Sequence, residues 1–315
     1  MTMVSYAQNG EDVVLARAFP TEYVGFYVDV GASDPVVDSV TKHFYDRGWN
    51  GVNVEPAALP FEALQHERVR DISLNVGLAA ALGEATFYEL PEELTGCSTF
   101  LPELADEYGS QGWEPTPRPV EILTLAAVCA DHVGERTIDF LKIDVEGHEA
   151  EVLEGADFER FRPRILVVES TAPGTTRLTQ DEWEPGVLEA RYRPVLFDGL
   201  NRFYVREEDA DLSGSLEVPA NVLDDYISNR CHRWREEARE LSTAEHESRA
   251  ALTEAIAAVQ QAQEQGASAN TALVRTREQL AHSQAVLRDT QAELAATRQA
   301  LITALPKQSV PGAAA

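Results

Sequence analysis

Residues 26–31 read Phe-Tyr-Val-Asp-Val-Gly, a short run of aromatic and β-branched residues that stops at a glycine. Such a run is a buried strand entering a turn, and it constrains the fold because the same construction recurs. Gly51 to Val54 is followed by Glu55, Ile138 to Ile143 by Asp144, and Ile165 to Val168 by Glu169. Short apolar strands separated by helical patterns build βαβ units and a parallel sheet. In an open parallel sheet, ligands bind outside the carboxyl ends of the strands. Asp29, Glu55, Asp144 and Glu169 would then line one rim of the sheet, where buried charges are costly unless paired.

The first turn narrows the ligand. Gly31 has no Cβ, so the backbone there can approach a bound molecule closely. Glu55 lies at the tip of the second strand, where an acid can accept hydrogen bonds from both hydroxyls of a ribose. A nucleoside cofactor is therefore expected at Asp29, Gly31, Ala32 and Glu55. Asn75, in a third strand spanning Ile72 to Leu78, would border the adenine. A dinucleotide site requires Gly-x-Gly-x-x-Gly to rest a pyrophosphate on backbone N–H groups. Here Gly31 is followed by Ala32, Ser33, Asp34 and Pro35; two glycines are missing, and Asp34 would repel phosphate. S-adenosylmethionine (SAM), with a sulfonium, an amino group and no phosphate, suits the turn, and a nicotinamide-dependent oxidoreductase is disfavoured.

Along the chain, Ser5 to Phe19 reads as a helix capped by Asn9, with Gln8 to Asp12 serving either as its cap or as a lid over the cofactor. Helices are expected at Ser39–Arg47, Pro60–Glu67, Leu123–His132 and Trp183–Ala190, with an extra strand at Ala85–Leu90. Pro91 to Pro119, rich in proline and glycine, reads as a long substrate-side loop. Pro194–Phe197 and Arg202–Arg206 flank Asp198-Gly199, a strong hairpin signal. The fold class expected is α/β: a Rossmann-like class I methyltransferase sheet with a terminal antiparallel hairpin, followed by a long C-terminal helical, coiled-coil-like extension.

Five segments carry a family resemblance: Ser-Tyr-Ala-Gln-Asn-Gly-Glu-Asp at 5–12, Phe-Tyr-Val-Asp-Val-Gly-Ala at 26–32, Gly-Trp-Asn-Gly-Val-Asn-Val-Glu-Pro at 48–56, Phe-Leu-Lys-Ile-Asp-Val-Glu-Gly-His-Glu at 140–149, and Phe-Asp-Gly-Leu-Asn-Arg-Phe-Tyr-Val at 197–205. Residues 5–225 resemble the FkbM family of methyltransferases. The resemblance implies SAM-dependent O-methyl transfer to a hydroxyl of a sugar or natural product, with the cofactor at Asp29, Gly31 and Glu55. The family often has Asn where Ser33 stands here.

Charge bounds the partners. The formal net charge is −27, and because residues 226–315 hold ten basic and ten acidic side chains, the excess belongs to residues 1–225. An acidic domain repels nucleic acid and anionic membrane surfaces, so neither is an expected partner. Cys97, Cys129 and Cys231 give no disulfide framework and no metal spacing. With no signal-peptide pattern and no long apolar span, a cytoplasmic location is the expectation. Three regions follow: a methyltransferase-like domain at 1–225, a helical extension at 226–305 and a disordered tail at 306–315. In the extension Leu252, Val259, Leu273, Leu280, Leu287, Leu294 and Leu301 share a seven-residue spacing that Gly266 interrupts. The other core row is mostly polar, so a weak coiled coil, through self-association or a partner helix, is expected.

The chemistry is expected at Asp144, Glu146 and His148, which alternate with Val145 and Gly147. A sugar hydroxyl needs its proton removed as the new bond forms. Asp144 is the base by position and His148 by its ordinary pKa. Alternatively, Asp144 and Glu169 hold Mg²⁺ that acidifies the hydroxyl. A competing reading is a non-catalytic scaffold that assembles through its C-terminal helix.

Overall fold

The computed structural model describes residues 2–264 and 270–304. It divides into two units, residues 1–226 and 227–315. The first unit opens with a short strand β1 (Met3–Ser5) and helix α1 (Glu11–Ala16), then strand β2 (Phe26–Val30), helix α2 (Lys42–Asp46), strand β3 (Asn50–Val54), helix α3 (Ala58–Glu67) and strand β4 (Ile72–Leu74). An inserted segment holds β5 (Gly77–Leu78), β6 (Gly83–Glu89), α4 (Pro102–Ser110) and β7 (Thr116–Leu123). The chain continues through α5 (Leu125–Val128), β8 (Phe140–Ile143), α6 (Glu149–Glu154), β9 (Ile165–Glu169), α7 (Glu184–Glu189), β10 (Tyr192–Phe197), β11 (Asn201–Arg206) and α8 (Ser213–Leu216).

Seven strands form the main sheet in the order β10-β11-β9-β8-β2-β3-β4. Neighbours from β9 to β4 are parallel, whereas β11 is antiparallel to both β9 and β10. Alternation along β2 sorts its side chains between two cores. Phe26, Val28 and Val30 pack with Val128 of α5, Val152 and Leu153 of α6 and Val187 of α7. Tyr27 packs on the opposite side with Val14 and Leu15 of α1, Phe44 of α2 and Leu216 of α8. Helices thus cover both faces, which is what allows parallel strands to be apolar throughout. From β2 the chain steps to β3 on one side and later to β8 on the other. The switch point therefore lies between β2 and β8, where an open sheet leaves a crevice at its strand ends.

Close packing makes one sheet position intolerant of any side chain. The ring and carbonyl of Tyr27 lie where a Cβ on Gly51 would stand. Tyr27 is held there because its hydroxyl donates to Asp71 at 2.6 Å, and Asp71 also accepts from Gly51 N at 2.9 Å and Asn53 Nδ2 at 3.0 Å.

Several expectations change. The third strand does not run from Ile72 to Leu78; it breaks at Asn75, and β5 joins a separate sheet of order β5-β7-β6. Pro91 to Pro119 is not one loop, since it contains α4 and the start of β7. Pro117 and Pro119 pair with Tyr88 and Thr86 of β6. They are tolerated because β5 reaches only Ile122 and Leu123 on the other edge of β7, so their missing N–H groups break no ladder. Asn9 does not cap α1. The helix starts after Gly10 without a side-chain cap, and Asn9 Nδ2 donates to the Asp198 carbonyl at 3.3 Å. The 123–132 helix is shorter, with Thr124 capping α5 and a π-helical turn over Cys129–Val133.

The second unit contains α9 (Asn229–Glu264) and α10 (Asn270–Ala304). The seven-residue row does not form one seam along a single helix. Gln291 of α10 reaches Glu245 of α9 at 3.3 Å, so residues on either side of 265–269 face each other. Ala255 and Leu294 are buried, while Ile256 is 42% exposed. Gly266, Pro306 and the tail at 306–315 lie outside the described residues. No helix among the described residues is long and apolar enough to cross a membrane.

Replacing Gly51 with Ala is expected to destabilise the first unit by about 1–3 kcal/mol, the range for overpacking a filled core. A urea titration with an unchanged midpoint would contradict this packing.

Candidate active site

The carboxyl ends of β2, β3, β8 and β9 open onto a cleft of about 1000 Å³, with a narrow pocket of about 50 Å³ adjoining it. Asp29, Gly31, Ala32, Asp144, Glu146 and Glu169 line the cleft. Gly31, Glu55, Asp144, Glu146 and His148 line the pocket, together with Val76 to Leu78, Phe87 and Phe100. The rim acids read from sequence are thus brought together, and Gly31, Asp144 and Glu146 border both spaces.

Gly31 adopts φ +79°, and a Cβ on it would collide with the Asp144 carbonyl oxygen. Only glycine lets these two strand-end turns touch. Its N–H and that of Ala32 both donate to the Val54 carbonyl, at 2.9 and 3.2 Å, and Ser33 N donates to Glu55 Oε2 at 2.8 Å. The N–H groups of Gly31, Ala32 and Ser33 are therefore already bonded within the protein and are not free to receive a pyrophosphate. Glu55 is buried and also accepts from Ala57 N through Oε1 at 2.7 Å. Each of its oxygens keeps a second lone pair. Asn75 donates to the carbonyls of Glu55 and Pro56 at 2.9 and 2.8 Å, so it shapes this turn and does not line either space.

Asp29 is 2% exposed. Thr41 Oγ1 donates to its Oδ2 at 2.9 Å, whereas Oδ1 has no partner among the described residues. Burial raises the pKa of Asp29, and the nearby Lys142 opposes the rise. Asp29 and Lys142 are register neighbours on β2 and β8. Lys142 is buried and donates to Asp144 Oδ2 at 2.8 Å. Burial alone would raise the Asp144 pKa, but the Lys142 ammonium outweighs it and holds the carboxyl below its ordinary value.

The loop after β8 folds back on itself. Glu149 Oε1 accepts from Val145 N at 3.1 Å and Gly147 N at 3.2 Å. Thr99 Oγ1 donates to the Glu146 carbonyl at 3.1 Å, and Glu146 takes φ +53°, an uncommon conformation for a residue with a side chain. Its carboxylate has no hydrogen-bond partner among the described residues. Burial first, then Asp144 and Glu149, push its pKa up to about 8. Burial first, then Asp144, Glu146 and Glu149, push Glu169 up to about 10, and its carboxyl is hydrogen-bonded to Asp144. Ligand atoms of Asp144, Glu149 and Glu169 lie within 4.8 Å of one another, so Glu149 stands beside the two acids read from sequence as a metal pair. His148 points elsewhere: its ring lies 5.6 Å from that of Phe100 beside the narrow pocket, and burial lowers its pKa.

The sequence reading gave no site role to Lys142 or Asp198 and placed Glu11 only in a cap or lid; all three are on the cleft wall. Lys142 carried a visible signal, since a lysine two residues before Asp144 in an apolar strand shares its face. Glu11, buried with its pKa pushed up to about 7 by desolvation, binds Asn201 Nδ2 through Oε1 at 2.7 Å. That contact spans most of the first unit and has no local signature.

The buried acids set a pH dependence. Above about pH 7.5 the histidines with lowered pKa values are largely neutral in both folded and unfolded chains. Glu11, Glu55 and Glu149 keep folded pKa values of about 7, and Glu146 about 8, against about 4.3 unfolded. The native chain thus binds more protons than the unfolded one, and stability falls as pH rises through these values. The melting temperature is expected to drop between about pH 7.5 and 9, with a shallower drop for Glu55→Gln. A melting temperature that climbs over this window would mean that these acids are ionised in the fold.

A family profile described as the Methyltransferase FkbM domain matches residues 29–194, more than half of the chain. The match is narrower than the 5–225 span of the resemblance, and the segments at 5–12 and 197–205 fall outside it. No curated protein matches the chain.

Proposed function

The chain belongs to the FkbM methyltransferase family, and on that basis we propose that it is a SAM-dependent O-methyltransferase acting on a hydroxyl of a sugar, glycan or related natural product. The observation that carries this reading is the turn at Gly31. The N–H groups of Gly31, Ala32 and Ser33 are bonded internally, while an Asp29 oxygen at the cleft has no partner among the described residues. A donor that is cationic and carries no phosphate suits such a turn. The parallel sheet with its antiparallel β10–β11 pair is in keeping with a Rossmann-like class I methyltransferase.

Glu55, with its remaining lone pairs, would hold the ribose hydroxyls, and Asp29 Oδ1 the amino group. The slot between Val76–Leu78, Phe87, Phe100 and His148 would take the base. Asn75 is then a positioning residue that acts through Glu55. When bound, SAM supplies an electrophilic methyl group on a sulfonium. The protein's part is to align the acceptor oxygen for in-line displacement and to remove its proton. Glu146 fits that role better than Asp144 or His148. Asp144 is held by Lys142, and His148 faces the narrow pocket, whereas the Glu146 carboxylate is unengaged and borders both spaces. A second reading places Mg²⁺ on Asp144, Glu149 and Glu169, favoured by their proximity; such an ion would acidify the hydroxyl.

Calorimetric titration of SAM is expected to give saturable binding that Glu55→Ala weakens about tenfold or more. No binding to a well-folded wild-type chain would favour the scaffold reading. In a methyl-transfer assay, Glu146→Gln is expected to lower kcat about 100-fold or more, and the wild-type rate should rise with pH up to about 8, as Glu146 must be ionised to act. Activity that survives EDTA removes the Mg²⁺ reading; activity lost in EDTA and retained in Glu146→Gln removes the Glu146 reading.

A further inference from the structure

Asp29 stands at the end of a chain of hydroxyls that begins at a buried arginine. Thr41 Oγ1 donates to Asp29 Oδ2 at 2.9 Å. A hydroxyl has one hydrogen, so Thr41 has none left for Ser39 Oγ, 3.4 Å from its own oxygen, and that contact runs from Ser39 to Thr41. Ser39 Oγ in turn accepts from Arg68 Nη2 at 2.9 Å. A guanidinium only donates and keeps its charge. Every hydrogen in the chain therefore points one way, from Arg68 through Ser39 and Thr41 to Asp29. All four residues are buried, where hydrogen bonds in series polarise one another.

Local structure does not account for this arrangement. Thr41 is the N-cap residue of α2, where a threonine hydroxyl ordinarily accepts from the first N–H groups of the helix, yet it makes no such bond. Its hydroxyl is turned to Asp29 instead. Arg68 follows the last residue of α3 and fixes where Ser39 sits, because its Nε and Nη2 hold the Pro35 carbonyl at 3.0 and 2.6 Å. Neither Thr41 nor Arg68 lines the cleft or the narrow pocket, whereas Asp29 lines the cleft. Burial raises the pKa of Asp29, and Lys142, the Thr41 bond and Arg68 all oppose the rise. Resting on the methyltransferase reading above, in which Asp29 Oδ1 meets the amino group of the methyl donor, we propose that Thr41, Ser39 and Arg68 are positioning residues for that contact. They fill Oδ2 with a donor, hold the carboxylate in one orientation, and leave Oδ1 as the oxygen presented to an ammonium. The selectivity that follows is for the amino group of the bound nucleoside and not for its base or ribose, which other walls would hold.

The test titrates S-adenosylhomocysteine, which keeps the amino group, into the full chain beside its desamino analogue, which lacks only that group. The wild-type chain is expected to bind the amino form about tenfold tighter or more. Thr41→Val is expected to weaken the amino form about tenfold, the order of one hydrogen bond to a charged group, and to leave the desamino form unchanged. Thr41→Ser keeps the hydroxyl and should retain the wild-type preference. Ser39→Ala cuts the link to Arg68 and should give a smaller loss, again for the amino form alone. Combined with Thr41→Val it should add nothing, because groups acting in series are not additive. Melting curves identify the variants that remain folded, and either single variant suffices for the comparison. A purely structural role would weaken both forms alike. Equal loss of the two forms in a folded variant, no loss of the amino form, or the same loss in Thr41→Ser would overturn the proposal. Binding of both forms without the expected effect of Thr41→Val removes this inference alone, whereas no binding of either form to the folded wild-type chain removes the cofactor reading and this inference with it.

Discussion

One buried ammonium makes the rim of the sheet tenable. Lys142 lies on β8 between Asp29 and Asp144, and its own pKa is raised because burial, which would lower it, is outweighed by Asp144, Asp29 and Glu11. Removing one partner from a buried ion pair costs several kcal/mol, because the remaining charge is left uncompensated. The arrangement also divides labour among acids that look alike in sequence. The carboxylate bound by Lys142 stays ionised, while those farther from it, Glu146 and Glu169, hold their protons to higher pH. Acids pushed apart in pKa by their surroundings are a common basis for acid–base roles.

The rest of the rim is ordered by backbone. Glu55 takes two N–H groups, Glu149 takes two more, and Asn75 bridges two carbonyls. These side chains organise the turns from within and leave the cleft wall to a smaller set of free oxygens. The two readings of the Asp144, Glu149 and Glu169 cluster, shared protons or a bound cation, are two answers to the same crowding of negative charge.

Much of this was legible in the sequence, and the misses have physical causes. Strand ends could be read because an apolar run that stops at an acid is a local signal, and Asp29, Glu55, Asp144 and Glu169 do meet at one rim. The role of His148 could not be read, because the left-handed Glu146 redirects the chain between Asp144 and His148. Lys142 was read as part of an apolar run, although its place two residues before Asp144 puts both on one strand face. Pro117 and Pro119 read as loop because their tolerance depends on how short β5 is, a fact about a neighbouring strand. The two C-terminal helices read as one because Val259 and Leu273 keep the same heptad phase across residues 265–269, and spacing alone does not register that the chain reverses.

The contact between Gly31 and the Asp144 carbonyl has a consequence for evolvability. The turn that would face the methyl donor and the loop that carries the acceptor-side acids meet backbone to backbone, with no side chain between them to absorb a change. A lineage exploring new acceptors therefore has little freedom to reshape the β8 loop without disturbing the donor turn. Change is easier at a wall that lacks this backbone contact, such as the Glu92–Cys97 turn.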